Sequence, residues 1–170
     1  MEVAERLGVS ERTLRRIGAV GLVRGAREDW RGLGEGEREW LLAHWGLVGG
    51  LREALRTEPN VSMAWIFGSV AKGTDDEGSD IDLVVDLKVA DLVSLRGVQR
   101  RLEAKLGRAV DIFRQGDLEA EPEILLPLLK QARVVIDREG WWERLEQHRH
   151  RLRQRLQALR ARRPEWALLR

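Results

Sequence analysis

At 170 residues, 43% apolar and 34% charged, the chain has the size of one globular domain or two small ones, and the material for a packed core. It has no cysteine and no apolar run near ~18 residues, which excludes disulfides, thiolate metal sites, cysteine nucleophiles and a membrane span, and points to the cytoplasm. The net charge of +2 is uneven: ten arginines against four glutamates from Arg138 onward give a local +6, which leaves −4 for the first 137 residues.

The first residues are polar and periodic, unlike a signal peptide. Val3, Ala4 and Leu7 are spaced for one helical face, Gly8 and Val9 make a tight turn, and Ser10 is placed to cap a second helix over Glu11 to Ile17. Leu14 and Ile17 of that helix face the first, which leaves Arg12, Thr13, Arg15 and Arg16 outside. The stretch GLVRG and the charged loop to Arg31 are expected to form a short strand and a wing, followed by helices over 35–46 and 47–57. This order (Ala4, LGVS, TLR, then GL and an Arg-bearing wing) resembles the MerR-like winged helix-turn-helix over about the first 57 residues. The resemblance implies operator DNA as a partner, with Ser10, Arg12, Thr13, Arg15 and Arg16 at the groove. Glu2, Glu5, Glu11, Glu28 and Asp29 offset most of the arginine charge, so the patch is only weakly basic.

Residues 58–137 read as a separate α/β unit. VSMAWIFGS is a buried-type strand that ends in Gly-Ser, and DIDLVVDL is a second strand. Ala90 to Leu106 carries Leu92, Leu95, Val98, Leu102 and Leu106 on one helical stripe, and Gly107 ends it. RAVDIF is a third strand, PEILLPLLKQA a helix expected to break or kink near Pro127, and RVVID a fourth strand. A long basic helix from Gly140 to about Arg163, with Trp142, Leu145, Leu152, Leu156 and Leu159 on one side, is stopped by Pro164.

The chemistry lies in FGSVAKGTDDEGSDIDLVVD, Phe67 to Asp86. Residues two apart on a strand share a face, so Asp80 and Asp82 project together, roughly 7 Å apart, while Ile81 and Leu83 enter a core. A metal site, a strand mouth open to water or an acidic turn would each accommodate them. Like charges that close raise one another's pKa unless a cation intervenes, and Mg²⁺ takes carboxylate and phosphate oxygens together. Asp111, a lone acid in the apolar strand AVDIF, joins them if the two strands are neighbours. Gly68 and Ser69 close one strand and open a helical turn whose free N–H groups, hydroxyl and Lys72 suit a phosphate. Asp75, Asp76, Glu77 and Asp86 are expected to be solvated loop or strand-end acids.

Gly-Ser, a ten-residue spacer, then Asp-x-Asp, with a third strand-borne Asp, resembles the signature of the polymerase-beta-type nucleotidyltransferase superfamily, and most of all its minimal nucleotidyltransferases. The pattern there runs close to G-S-x-A-R-G and S-D-I-D-L; Lys72 replaces the arginine, and Ser79, Asp80, Ile81, Asp82 and Leu83 match. The resemblance covers roughly Val61 to Asp137. It implies a two-metal transfer of a nucleoside monophosphate, from ATP or another nucleoside triphosphate, to an acceptor hydroxyl. Asp80, Asp82 and Asp111 would be the Mg²⁺ ligands and catalytic acids, and Gly68, Ser69, Lys72 and Ser79 would bind the nucleotide. Minimal nucleotidyltransferases often serve as antitoxins that adenylylate a HEPN-type ribonuclease partner, and the same is expected here.

The expected fold class is therefore α/β (α+β): a small mixed β-sheet core with helices over 58–137, a winged helix-turn-helix over 1–57, and a basic C-terminal helix over 138–170 that packs on the core with an exposed basic face, RNA binding or packing on a second copy being the alternatives. The alternative is a DNA-binding regulator whose transferase-like pocket senses nucleotide or is degenerate. Nucleotidylation of a small molecule such as an aminoglycoside is a third reading, disfavoured because no acceptor domain is read after Asp137.

Overall fold

The structure is a computed structural model that describes residues 3–19, 21–24 and 33–162. It is a mixed α/β arrangement around one four-stranded sheet. Helices α1 (Val3–Leu7) and α2 (Glu11–Ala19) meet at Gly8, whose φ of +64° is the left-handed conformation glycine adopts without strain. Ser10 caps α2 as expected, its Oγ accepting the Thr13 N–H at 3.2 Å. Val3, Ala4, Leu14 and Ile17 are buried with Leu22, Val23, Trp40, Leu41 and Val48.

Two expectations for this region change. Residues 21–24 form a turn, not a strand, because Leu22 and Val23 both point into the core and leave no alternating face. The expected wing lies outside the described residues. The two helices expected over 35–57 are one 22-residue helix, α3 (Glu35–Arg56). Each interior glycine costs about 1 kcal/mol against alanine. The buried series Trp40, Leu41, His44, Val48, Leu51 and Leu55 nevertheless keeps helical spacing through Gly46, Gly49 and Gly50, and its burial outweighs that cost.

The sheet order is β3-β2-β1-β4, with β1 (Val61–Phe67), β2 (Ile81–Leu87), β3 (Val110–Arg114) and β4 (Arg133–Asp137). β1 is antiparallel to both β2 and β4, and β2 is parallel to β3. A short helix, α4 (Gly68–Lys72), follows β1 directly. The parallel crossover is α5 (Leu92–Leu106). Asp91 caps α5 through Oδ1 and the Ser94 N–H at 2.7 Å, and Gly107 ends it at φ +66°. Helices α6 (Gln115–Glu119) and α7 (Pro122–Leu129) lead from β3 to β4; α7 runs through Pro127 for two further residues rather than breaking there. A 3₁₀ turn at Trp142–Arg144 delays the C-terminal helix, so α8 spans Leu145–Ala161. Leu145 and Leu152 are buried, while Leu159 lies in solvent.

Alternation along the strands divides the core in two. Ala64, Ile66, Ile81, Leu83, Val85, Val110 and Val135 pack under α3 and α5. Met63, Trp65, Val84 and Val134 pack under α7 and α8. Asp82 and Asp111 belong to the second face, at the end that α7 and α8 do not cover: Asp82 is half-buried and Asp111 exposed. Among the described residues, no helix is long and apolar enough to cross a membrane.

Candidate functional site

The sheet register sets the site. Phe67 pairs with Asp82 on the antiparallel side, and Asp82 pairs with Asp111 on the parallel side. One line across three strands therefore carries an aromatic ring and two carboxylates. Phe67 and Phe113 meet edge-on beside the acids, ring centroids 5.5 Å apart. Asp80 precedes β2 by one residue and is exposed.

The acids sense one another. The Asp82 carboxyl is held above the ordinary aspartate range, first by burial and then by the charges of Asp111 and Asp80. Among the described residues, Asp80, Asp82 and Asp111 take part in no side-chain hydrogen bond or ion pair. A half-buried carboxylate beside two like charges, with no donor, is an incomplete arrangement in the protein alone. The donor set is oxygen only, which is the chemistry of a hard divalent cation. Among the described residues, no three His, Cys, Asp or Glu side chains are gathered as a ready-made ligand group. The fold thus sets Asp82 and Asp111 side by side and leaves Asp80 at the rim.

The turn above them is fitted to Asp82. Gly68 sits at φ +71°, and a Cβ there would fall 2.1 Å from Asp82 Oδ2. Only glycine allows both the backbone angle and that approach. Ser69 and Lys72 follow on α4, and neither side chain has a partner among the described residues. An unpaired hydroxyl and ammonium thus stand on the turn that crosses the carboxylates. Ser79 differs: its Oγ donates to Asp76 Oδ1 at 3.0 Å and accepts the Asp76 N–H at 2.9 Å, so its hydroxyl is used within the loop.

That loop is anchored by residues the sequence reading missed. Asp75, expected to be solvated, has a side chain only 8% exposed. Its Oδ1 lies 2.7 Å from His44 Nε2, and its Oδ2 lies 3.4 Å from Arg108. Burial alone would raise the Asp75 pKa; the His44 hydrogen bond and the nearby positive charges bring it below the ordinary value. Arg108 also donates to the Ser79 carbonyl at 3.0 Å and so holds the limb that leads to Asp80. His44 stacks on Trp40 at 4.9 Å, and Trp40 Nε1 donates to the Val70 carbonyl of α4 at 2.7 Å. The Arg133 guanidinium lies 3.7 Å from the Trp40 ring centroid and donates to the Ala71 carbonyl and to Glu37. Helix α3 thereby braces both α4 and the acidic loop. No local motif announces this network, because its members lie up to 96 residues apart.

The residues read as groove contacts lie on α2, except Ser10, which caps it. Arg12, Arg15 and Arg16 are exposed, Arg15 pairs with Glu11 at 3.2 Å, and Thr13 Oγ1 lies 3.1 Å from Ser10 Oγ.

The sequence profile of the polymerase beta nucleotidyltransferase family matches residues 50–140. The chain belongs to that family. The matched span covers all four strands and the three acids. No curated protein matches the sequence. Among solved structures, one chain of a toxin–antitoxin complex with AMP-PNP is similar at 23% identity and a TM-score of 0.54, over 67% of this chain and 92% of that one. A mutant MntA–HpeT toxin–antitoxin complex is similar at 21% identity and a TM-score of 0.55, over the same shares of the two chains. These similarities carry the nucleotidyltransferase-like fold to this chain.

Proposed function

We propose that the protein transfers a nucleoside monophosphate, AMP from ATP, to a hydroxyl of a partner protein, as an antitoxin does for its toxin. The observation that carries this reading is the Asp82–Asp111 register pair under the Gly68 turn, within a chain of the nucleotidyltransferase family. Asp80 and Asp82 would hold Mg²⁺ against the triphosphate, with Asp111 toward the acceptor hydroxyl. Bound divalent cations would supply charge neutralisation at the attacking and leaving oxygens. Ser69 and Lys72, both without side-chain partners among the described residues, would contact phosphate oxygens, and Gly68 lets the backbone come close. Ser79 would serve through its loop, which sets the approach of Asp80.

Adenine is favoured by the AMP-PNP of one similar complex, and a protein acceptor by the toxin–antitoxin pairing of both. A HEPN-type protein is the acceptor this reading names. The test is incubation with ATP labelled at the α-phosphate, Mg²⁺ and a HEPN-type partner. Label is expected on the partner with the wild type, and at least about a hundredfold less with Asp82→Asn or Asp111→Asn. A wild-type protein that binds ATP yet labels no partner would overturn the reading.

A second activity, operator binding, is supported by the α1–α2 pair, which exposes Arg12, Arg15 and Arg16 on one helix. Under it, residues 1–57 act as the DNA-binding segment beside the transferase unit of 58–137. A salt-dependent shift of promoter DNA that Arg12→Ala and Arg15→Ala abolish, and Asp82→Asn leaves intact, is the expected result; an unshifted promoter at low salt would remove this activity.

A further inference from the structure

Behind the sheet, on the side away from the carboxylates, α2 and α3 enclose a cleft of about 300 Å³. Three arginines line it: Arg16 from α2, and Arg52 and Arg56 from α3. Arg52 is half-buried, and among the described residues its side chain donates only to the Val135 carbonyl of β4, at 3.1 Å. Among the described residues, Arg16 and Arg56 have no side-chain partner. Glu53 also lines the cleft, but its carboxylate is paired with Lys105 at 3.1 Å. The guanidinium of Arg52 is less basic than usual, first through burial and then through the charges of Arg16 and Arg56. Three cations around one space, whose one lining carboxylate among the described residues is already paired with Lys105, suit an anion.

Two further features narrow its chemistry. Trp45 forms part of the wall and is half-buried, packed against the α1–α2 core, so an aromatic side chain borders the cleft. Gly49 forms another part, in the interior of a helix where glycine costs about 1 kcal/mol. Gly50, its neighbour, is explained by packing: a Cβ there would lie 3.0 Å from Leu106. A Cβ at Gly49 would meet nothing within 4 Å. The position is thus open to the cleft, and a larger side chain there has room to enter it.

We propose that this cleft is a second binding site, for a phosphate ester that carries a planar base, either a free nucleotide or a base of a single-stranded nucleic acid. The arginines would take the phosphate in bidentate hydrogen bonds, and Trp45 would stack on the base. The site is separated from Asp82 and Asp111 by the sheet itself, so occupancy of one does not block the other.

The test is calorimetric titration of the full chain in EDTA with 5′-AMP and, separately, with a hexadeoxyadenylate strand. One of the two is expected to bind with unit stoichiometry. Its affinity should fall at least about tenfold in the Arg16→Ala/Arg56→Ala double variant, the loss of two charge-assisted contacts. Gly49→Leu should fill the cleft and abolish binding while it melts no lower than the wild type, because the position has room and glycine is the poorer helix former. Asp82→Asn should bind as the wild type does. Which probe binds identifies the source of the phosphate. Failure of both probes at millimolar concentration, or binding that survives Gly49→Leu and the double arginine variant, would overturn the proposal. So would binding that Asp82→Asn alone abolishes, since that places the ligand on the carboxylate face.

Discussion

Gly68 and Asp82 are in contact across the turn, and their geometry makes opposite demands on substitution. At Gly68 a methyl group would strike the Asp82 carboxylate and would hold a left-handed angle, a backbone cost of about 1–2 kcal/mol for a residue with a Cβ. Gly68→Ala is therefore expected to lower Tm and to displace the acid it touches. A 1 Å shift of a reacting group can cost about a hundredfold in rate, so label transfer should fall on that order. At Asp82 the outcome reverses for stability. Its charge is opposed by burial and by two neighbouring carboxylates. Asp82→Asn removes that opposition, so at neutral pH the variant should melt at or above the wild-type temperature while transfer is lost. Thermal melts paired with the labelling assay separate the two effects; an Asp82→Asn protein that melts well below wild type would mean the carboxylate serves the fold.

At the scale of elements, α3 ties the acidic loop, α4 and β4 together. Its Glu37 makes two hydrogen bonds with the buried Arg133 of β4, at 2.7 and 2.8 Å, and accepts the Arg24 N–H at 3.0 Å. Burial alone would raise the Glu37 pKa, but these donors and charges bring it below the ordinary value. A carboxyl lowered in the folded state stabilises it above the unfolded pKa of about 4.3 and loses that contribution as pH falls through the folded value. Glu37→Gln should thus be less stable than wild type at pH 7, by about 1–3 kcal/mol given that Glu37 keeps part of its surface in water. The gap should close as the pH is taken below about 4, which denaturant titrations at pH 7 and pH 3 would read. The strands were legible because period-two alternation is local, with Ile81, Leu83 and Val85 on the buried face and Asp82 on the other, whereas Asp80, expected on the same strand, lies one residue before it. The pairing of β2 with β3 was legible only as a condition on Asp111. The brace was not legible. Arg108 reads as the first residue of the strand RAVDIF, with no partner announced, and Asp75 as one acid among four. Only tertiary contact with His44 shows that Asp75 is buried. The continuity of α3 was hidden by its glycines, since propensity counts against them and packing decides.

Across the whole molecule, the sequence motifs divide after residue 57, while the packing runs across that division. Leu51 and Leu55 of α3 are fully buried with Ile81, Leu83 and Val85 of β2. Trp40, Leu41 and Val48 of the same helix are buried with α1 and α2. The match to the family likewise begins at residue 50, inside α3. A fragment of residues 58–170 would expose the sheet face that α3 covers. Full burial of a leucine contributes about 1.5–3 kcal/mol, so Leu51 and Leu55 alone account for a large part of a typical domain stability of about 5–15 kcal/mol. The bracing of the acidic loop by His44 and of α4 by Trp40 would go with them. The fragment is expected to lack a cooperative thermal transition, whereas a fragment that begins at residue 33, and so retains α3, should show one. If 58–170 melted cooperatively and bound ATP with Mg²⁺, α3 would belong to the N-terminal segment alone. The contacts argue otherwise: the helix that packs on α1 and α2 also bonds Asp75 through His44, and Asp75 in turn pairs with the Arg108 that holds the Ser79 carbonyl, so a disturbance at α1 and α2 has a physical route to the acids.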